Sequence, residues 1–178
     1  MPTLLQISQL GHPILREKAK EVENVSDPAI QALIDDMIQT CQDVGGVGIA
    51  APQVYQPLRL FIIASKPSPR YPNAPDMEPT AIINPTITSA SEEKEKGWEG
   101  CLSIPGIRGL VPRHKSVTVS FTNRNGQQEE KTFDDFVARV FQHEYDHING
   151  IVFLDQADPK DLVTEKEYQK IVRDSAKK

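Results

Sequence analysis

His143-Glu144-Tyr145-Asp146-His147 is the stretch of this chain that decides its fold and its chemistry. On an α-helix, residues i and i+4 lie one above the other on the same face, so the two imidazoles can reach one metal ion. Glu144 is the next residue round the helix, where it would be strained as a ligand but can act as a general base toward water. The stretch therefore predicts a helix that supplies two metal ligands and a proton acceptor.

The helix that carries this stretch is predicted to run from a capping box at Thr132 to about Asn149. Phe136 and Val140 precede His143 by two turns and by one turn on the same face. The histidines thus continue an apolar stripe that faces the core, which favours a metal site over a chance match or two solvated histidines. Phe136 and Val140 should line a pocket beside the metal that fits an unbranched apolar side chain.

A catalytic metal site usually has three protein ligands and one open position, so a third ligand is required. No histidine follows His147, whereas His12 precedes a proline and His114 lies in a basic stretch, as surface histidines do. Cys101 lies in Glu99-Gly100-Cys101-Leu102-Ser103, where glycine permits close approach of the backbone to a ligand. A thiolate is a strong ligand for a divalent ion, so Cys101 is the predicted third ligand.

The composition is that of an ordinary globular protein, with 178 residues, 38% of them apolar and 25% charged. This length corresponds to a single domain, which we expect to span residues 1–178. No apolar run is long enough to cross a membrane, and the N-terminus lacks the basic residues of a secretory signal. A net charge of −5 argues against nucleic acid as the main partner. The expected location is cytoplasmic.

A first helix is predicted after Ser26, which can cap it, with Pro28 in its first turn. Its apolar stripe recurs at helical spacing and ends at Cys41, which we interpret as a core residue. Five strands are predicted from apolar runs, alternation and the turn signal at residues 125–126. These strands are residues 58–64, 81–87, 97–104, 117–121 and 128–132.

A third helix, at about residues 159–177, carries only a thin apolar stripe and is expected to pack at the periphery. Helices and strands come in runs and do not alternate regularly, which favours an α+β fold. We expect mostly antiparallel strands packed around a central helix that carries the two histidines, with an N-terminal helix and a C-terminal helix.

Three stretches of the chain together resemble the motifs of the peptide deformylase family. In chain order they are Gly46-Val47-Gly48-Ile49-Ala50-Ala51-Pro52-Gln53, Glu99-Gly100-Cys101-Leu102-Ser103 and His143-Glu144-Tyr145-Asp146-His147. Each is of modest specificity alone, but all three in this order are very specific, and the likeness runs from about residue 7 to residue 155. The proline-rich residues 65–79, Trp98 and the third helix depart from the shortest family members.

The resemblance implies hydrolysis of the formyl group from the N-terminal formyl-methionine of newly made polypeptides, with release of formate. It implies that Cys101, His143 and His147 bind the metal and that Glu144 acts as general acid and base. A water molecule would complete the coordination of the ion.

The resemblance also implies roles for two groups of backbone and side-chain atoms near the metal. The side-chain amide of Gln53 and the backbone N–H of Leu102 would stabilise the oxyanion that forms during hydrolysis. Val47, Gly48 and Gly100 would align the backbone of the substrate like an added strand.

Two imidazoles and one thiolate suit zinc, nickel, cobalt or ferrous iron, so the donor set leaves the ion open. The resemblance implies one divalent ion, Fe²⁺ in cells, which Zn²⁺, Ni²⁺ or Co²⁺ can replace in purified protein. It also implies N-formylmethionyl nascent peptides as partners. We further expect proximity to the ribosome, no membrane or direct nucleic-acid site, and a monomer or weak dimer.

Two other functions remain open from the residues alone. A zinc endopeptidase could share the same helix, but it would need a downstream third ligand. A structural metal-binding module would need a fourth protein ligand, and only three suitable residues are found. Glu99 and Arg113 could form a buried ion pair that supports the segment around Cys101, or could be two solvated charges.

Overall fold

The computed structural model of the protein describes residues 2–68 and 71–175. Its helices are α1 (Pro28–Asp43), α2 (Asp135–His147), α3 (Phe153–Gln156) and α4 (Glu165–Ser175). Its strands are β1 (Gly48–Ala50), β2 (Leu60–Ile63), β3 (Thr80–Ala90), β4 (Lys94–Cys101), β5 (Ile104–His114), β6 (Ser116–Thr122), β7 (Gln128–Asp134) and β8 (Leu162–Thr164). The pairings between these strands are antiparallel, so the predicted α+β class with antiparallel strands is confirmed.

The strands form two sheets, one with the order β1-β2-β3-β6-β7 and one with the order β4-β5-β8. Helix α2 covers one face of the larger sheet, where Phe141 stacks on Phe133 and meets the edge of Phe61. Helix α1 covers the other face, where Met37 packs among residues that include Leu60. Because successive side chains of a strand point to opposite faces, β2 is buried throughout.

Helix α1 begins as the apolar periodicity predicts, but its cap is Asp27 and not Ser26. The Asp27 carboxylate accepts the N–H of Ala29 at 2.8 Å, and Pro28 occupies the first helical position. Cys41 is fully buried at the end of the apolar stripe, so its assignment to the core is confirmed.

The prediction of one strand over residues 97–104 is wrong, because the chain reverses after Cys101. Cys101 pairs directly with Ile104, and Leu102 and Ser103 form the turn between β4 and β5. The turn contains one serine but no glycine, proline or asparagine, and Pro105 and Gly106 lie after it in β5, so composition does not place the reversal at these two residues. This reversal leaves Cys101 at the end of a strand, beside the helix that carries the histidines.

Helix α2 starts later than predicted, because Thr132 belongs to β7. The Thr132 hydroxyl bonds the Thr118 hydroxyl of β6 at 2.9 Å, so Thr132 does not cap the helix. The helix runs from Asp135 to His147, and its last residue is thus the second histidine of the motif.

The third predicted helix is shorter than expected, since only its second half is an α-helix. Residues Pro159–Asp161 form a 3-10 turn, and Leu162–Thr164 form β8, which pairs with β5. Helix α4 then begins at Glu165; residues 176–178 lie outside the described part of the chain. Among the described residues, no helix has the length and apolarity needed to cross a bilayer.

Candidate metal centre

Cys101, His143 and His147 come together between the end of β4 and the last turns of α2. Their candidate ligand atoms all lie within 4.8 Å of one another, and Cys101 Sγ is 3.3 Å from His147 Nε2. Cys101 and His147 are buried, and His143 is nearly so. The structure therefore brings together the three residues that the sequence predicts as ligands, whereas His12 is exposed and His114 bonds the carbonyl of Ser91.

Glu99 fixes the orientation of the His143 ring. Its Oε2 lies 2.9 Å from His143 Nδ1, which leaves Nε2 of that ring to face the cluster. Its carboxylate also accepts two hydrogen bonds from Arg113 and one from Arg139. Burial raises the pKa of the Glu99 carboxyl, but the hydrogen bonds from His143 and Arg113 outweigh it and lower the pKa to about 2. The Glu99–Arg113 pair is thus buried and not solvated.

The Glu144 carboxylate lies in a dry position beside the cluster. Glu144 is 4% exposed, and burial raises the pKa of its carboxyl to about 7, against an opposing effect of His143. A Cβ atom on Gly48 would lie 2.6 Å from Glu144 Oε1, so only glycine allows β1 to approach the carboxylate this closely. Glu144 Oε2 has no hydrogen-bond partner among the described residues. Such a carboxylate is suited to exchange a proton with a molecule bound at the site.

Gln53 directs its side-chain amide toward the same place. The residue is 1% exposed, and its Oε1 accepts the N–H of Ala50 at 2.8 Å, which fixes the orientation of the amide. Its Nε2 donates to Ser103 Oγ at 3.2 Å and lies 3.4 Å from Cys101 Sγ. The Ser103 hydroxyl is therefore a support for Gln53, a role that the sequence alone did not indicate.

Residues 8–10, which we call the N-terminal bridge, join the segments of Gln53 and Leu102. The Ser8 N–H donates to the Gln53 carbonyl, and the Leu10 N–H donates to the Ser103 carbonyl, both at 2.8 Å. Gln9 Nε2 also reaches the Leu102 carbonyl at 3.4 Å. Sequence analysis missed this bridge, because an irregular segment carries neither a periodicity nor a motif.

A cavity opens beside the cluster between β1, β4 and α2. Among the residues that line it are Val47, Gly48, Gly100, Leu102, Phe136 and Val140, all of them predicted to contact the substrate or the oxyanion. Strand β1 is one edge of the larger sheet and β4 is one edge of the smaller sheet, so the cavity lies between two strand edges. The Val47 carbonyl accepts the Ala64 N–H at 2.9 Å, which ties the residue before β1 to the residue after β2 and leaves the second lone pair of that oxygen for a ligand.

The residues at this centre fit a single divalent metal ion. One sulfur and two imidazole nitrogens are donors that zinc and the divalent ions of iron, nickel and cobalt accept. The fixed ring of His143 and the unpartnered Glu144 Oε2 are the arrangement expected around such an ion with a reactive position. The group contains three protein ligands, which is the number found in catalytic sites.

The model of the family described as polypeptide deformylase matches residues 4–163 of this chain. The chain belongs to the polypeptide deformylase family. It is 56% identical over 177 residues to peptide deformylase 2 of Nostoc sp. strain PCC 7120, with 99% of each chain covered. The predicted membership is therefore confirmed, and the protein is a hydrolase that removes the N-formyl group from nascent polypeptides.

Solved deformylase structures resemble this fold closely. The Met-Ala-Ser-bound class I type b peptide deformylase of Acinetobacter baumannii superposes with a TM-score of 0.86 at 42% identity, covering 88% of this chain and 99% of that chain. The actinonin complex of a Synechococcus elongatus peptide deformylase gives a TM-score of 0.78 at 36% identity, covering 88% and 80%. Both comparisons support the same fold for this deformylase.

Proposed function

We propose that this deformylase acts through one divalent metal ion, held by Cys101 Sγ and by the Nε2 atoms of His143 and His147. The observation that carries the proposal is the convergence of these three donor atoms within 4.8 Å, on a strand end and a helix that pack together. When bound, a divalent ion polarises the formyl carbonyl and lowers the pKa of water toward neutrality.

Glu144 is the general base and then the general acid in this proposal. Its pKa of about 7 allows the carboxylate to take a proton near neutral pH and to release it again. Oε1 lies against Gly48, so Oε2 is the atom that accepts the proton from the attacking water and passes it to the departing amine. Protonation of the amine is required because an amine anion is a very poor leaving group.

Gln53 Nε2 and the Leu102 N–H donate hydrogen bonds to the oxyanion that forms on the formyl carbon. Gln53 is neutral, so it can donate without taking the proton that Glu144 must move. Its amide is held by Ala50 and Ser103 before substrate arrives, which makes the donor preorganised. Each such donor is worth roughly 3 kcal/mol of barrier lowering in a dry site.

The substrate backbone binds as an added strand between the edges of β1 and β4. In this position it is aligned by Val47, Gly48 and Gly100, and the methionine side chain enters the part of the cavity lined by Phe136 and Val140. The similarity to a deformylase bound to Met-Ala-Ser supports a short methionine-initiated peptide as the ligand.

The family supports Fe²⁺ as the ion in cells, and the donor set accepts Zn²⁺, Ni²⁺ or Co²⁺ as replacements in purified protein. A ferrous ion beside the Cys101 thiolate is open to oxidation, so the proposal includes a reducing cytoplasmic location. We further propose that residues 1–178 work as a single catalytic domain, as a monomer or weak dimer, near the ribosome where formylated chains emerge.

The proposal is tested with anaerobically purified protein and formyl-Met-Ala-Ser, by measuring formate. We expect formate release by the wild type and retention of the metal with loss of formate release in Glu144→Gln. Acetyl-Met-Ala-Ser should be a poor substrate, because its methyl group replaces the small formyl hydrogen and must occupy space that the hydrogen leaves empty. Equal turnover of the two peptides would contradict formyl specificity.

The ligand assignment is tested by metal analysis of Cys101→Ala beside Cys41→Ala. Cys41 is a buried cysteine that does not belong to the ligand group, so its variant controls for loss of a buried thiol. We expect Cys101→Ala alone to lose stoichiometric metal. Retention of metal in Cys101→Ala would favour a different third ligand, as an endopeptidase-like site requires.

A further inference from the structure

Three parts of the chain that the proposed mechanism does not use meet at one buried arginine. These parts are Trp98, the proline-rich segment and α4, and the arginine is Arg108 of β5. Its side chain is 1% exposed, although its guanidinium is charged. Buried charges require compensating partners, so the partners of Arg108 are informative.

Glu165, the first residue of α4, is the carboxylate that compensates Arg108. Nε of Arg108 lies 2.6 Å from Glu165 Oε2, and Nη2 lies 3.5 Å from Oε1. The ring of Tyr168, one turn along α4, lies 4.9 Å from the guanidinium carbon and 5.4 Å from the ring of Trp98. Nη1 of Arg108 bonds the hydroxyl of Tyr71 at 3.3 Å. The helix, the proline-rich segment and β4 are therefore joined through this side chain.

The guanidinium also lies against Gly100 of β4. A Cβ atom on Gly100 would be 2.5 Å from Arg108 Nη1, so glycine is needed at this contact. The pairing of β4 with β5 is irregular here: Glu99 pairs with Gly109 and Cys101 pairs with Ile104, and Gly100 has no paired residue. Arg108 thus supports the backbone of β4 where the regular ladder is interrupted.

Tyr71, Trp98 and Gly100 all line the substrate cavity. We propose that Arg108, held by Glu165 of α4, is a positioning residue that sets the edge of β4 for the peptide beyond its first residue. Helix α4 then forms part of the substrate site through Arg108, without touching the reacting atoms. The inference rests on the proposed binding of the peptide between β1 and β4.

This arrangement predicts that the effect of Arg108 depends on the length of the peptide. A single formyl-methionine is fixed by the metal centre and its side-chain pocket, whereas a longer peptide also pairs with the edge at Gly100. A disturbance of the Arg108–Glu165 contact should therefore weaken the binding of a tripeptide and leave that of formyl-methionine unchanged. A general loss of folding would affect both substrates alike.

The experiment compares Glu165→Gln with the matched control Glu167→Gln, in metal-loaded protein of the full chain. Glu167 is an exposed carboxylate of the same helix, and its ion pair is with Lys170. For Glu165→Gln we expect KM for formyl-Met-Ala-Ser to rise at least about threefold with kcat nearly unchanged, as loss of uniform binding requires. Glu167→Gln should resemble the wild type with both substrates.

Tyr168→Ala provides a second variant, because it removes the ring between Trp98 and Arg108 and keeps the ion pair. In this variant too, KM for formyl-Met-Ala-Ser should rise relative to KM for formyl-methionine. Equal changes for the tripeptide and for formyl-methionine, or no change for either in both variants, would overturn the positioning role. Absence of formate release from the wild type would instead count against the proposed function.

Discussion

Gly48 and Glu144 are in such close contact that a methyl group on the glycine would stand 2.6 Å from Glu144 Oε1. The glycine lies on the buried strand β1, and the carboxylate projects from α2, so neither backbone can easily move away. The hydrogen side chain at position 48 therefore sets the position of the proton-transfer group.

Gly48→Ala should displace the carboxylate of Glu144 and lower kcat by about 100-fold, since a shift of about 1 Å in a reacting group can have that effect. The metal ligands are untouched, so metal content should remain that of the wild type. The measurements are formate release and metal analysis. Gly126→Ala in the β6–β7 turn is the control, because it strains a backbone with φ of 79° far from the site. A Gly48→Ala variant with full activity would contradict the role of this contact.

Glu99→Gln should weaken metal binding by about 10- to 100-fold, the usual effect of losing a carboxylate that orients a histidine ligand. A neutral amide cannot both accept the hydrogen bond from His143 Nδ1 and neutralise the positive charge of Arg113. Competition with a chelator measures the affinity. Glu95→Gln, an exposed carboxylate of the same strand, should leave the affinity unchanged. Equal affinities for all three proteins would show that His143 needs no such support.

Arg139 lines the substrate cavity and a second, neighbouring cavity. Phe136 also lines both, and the second cavity has Lys96 and His114 among its other lining residues, so we expect these two side chains to form the wall between the cavities. Its guanidinium is held by the carbonyls of Glu95 and Val111 at 2.6 and 2.7 Å. A Cβ atom on Gly97 would lie 2.7 Å from its Cζ.

Arg139→Ala should join the two cavities and allow side chains longer than that of methionine. We expect the ratio of kcat/KM for a formyl-2-aminooctanoyl peptide over the methionine peptide to rise about tenfold, the effect of one or two accommodated methylenes. Arg124→Ala, on the distant β6–β7 turn, controls for the loss of an arginine. A lower activity with an unchanged ratio would mean that Arg139 only stabilises the fold.

Cys41 should be inert to alkylating reagents in the native protein at pH 8. Burial, with a smaller effect of Glu144, raises the pKa of its thiol from 9.0 to about 12, so almost no thiolate is present. The unfolded thiol ionises near pH 9, and ionisation therefore lowers the free energy of unfolding as the pH rises from 9 toward 12. Mass spectrometry after iodoacetamide treatment, with and without denaturant, measures the labelling. Rapid labelling of Cys41 without denaturant would contradict its burial.

The chemistry of the site was more accessible from the sequence than the geometry that supports it. The His143-Glu144 helix and Cys101 follow from local spacing and from glycines beside a thiol. Such signals can be read from the sequence because the residues involved are close together in the chain. The reversal at Leu102 and Ser103 comes before Pro105 and Gly106, which lie inside β5, so the turn-forming residues do not mark where the chain turns and the pattern indicated a single strand instead. The predicted cap at Thr132 was wrong because Thr132 pairs with Thr118 in the sheet, and this tertiary contact outweighs the local capping motif.

The supporting contacts could not be predicted, because each joins residues that are distant in the chain. Arg108 and Glu165 are separated by 57 positions, and only the folded structure shows that they compensate each other. The contact of Arg139 with Gly97 likewise depends on how α2 crosses β4. Periodicity reports which face of an element is buried, not which partner it meets.

The N-terminal bridge also constrains when a new copy of this enzyme becomes active. Ser8 must meet the carbonyl of Gln53, Leu10 that of Ser103, and Cys101 must meet His147 before the centre is complete. Contacts between such distant positions close late, since long loops must be ordered first. A growing polypeptide therefore remains without hydrolytic activity until translation has passed His147, and any product terminated before that codon is inert.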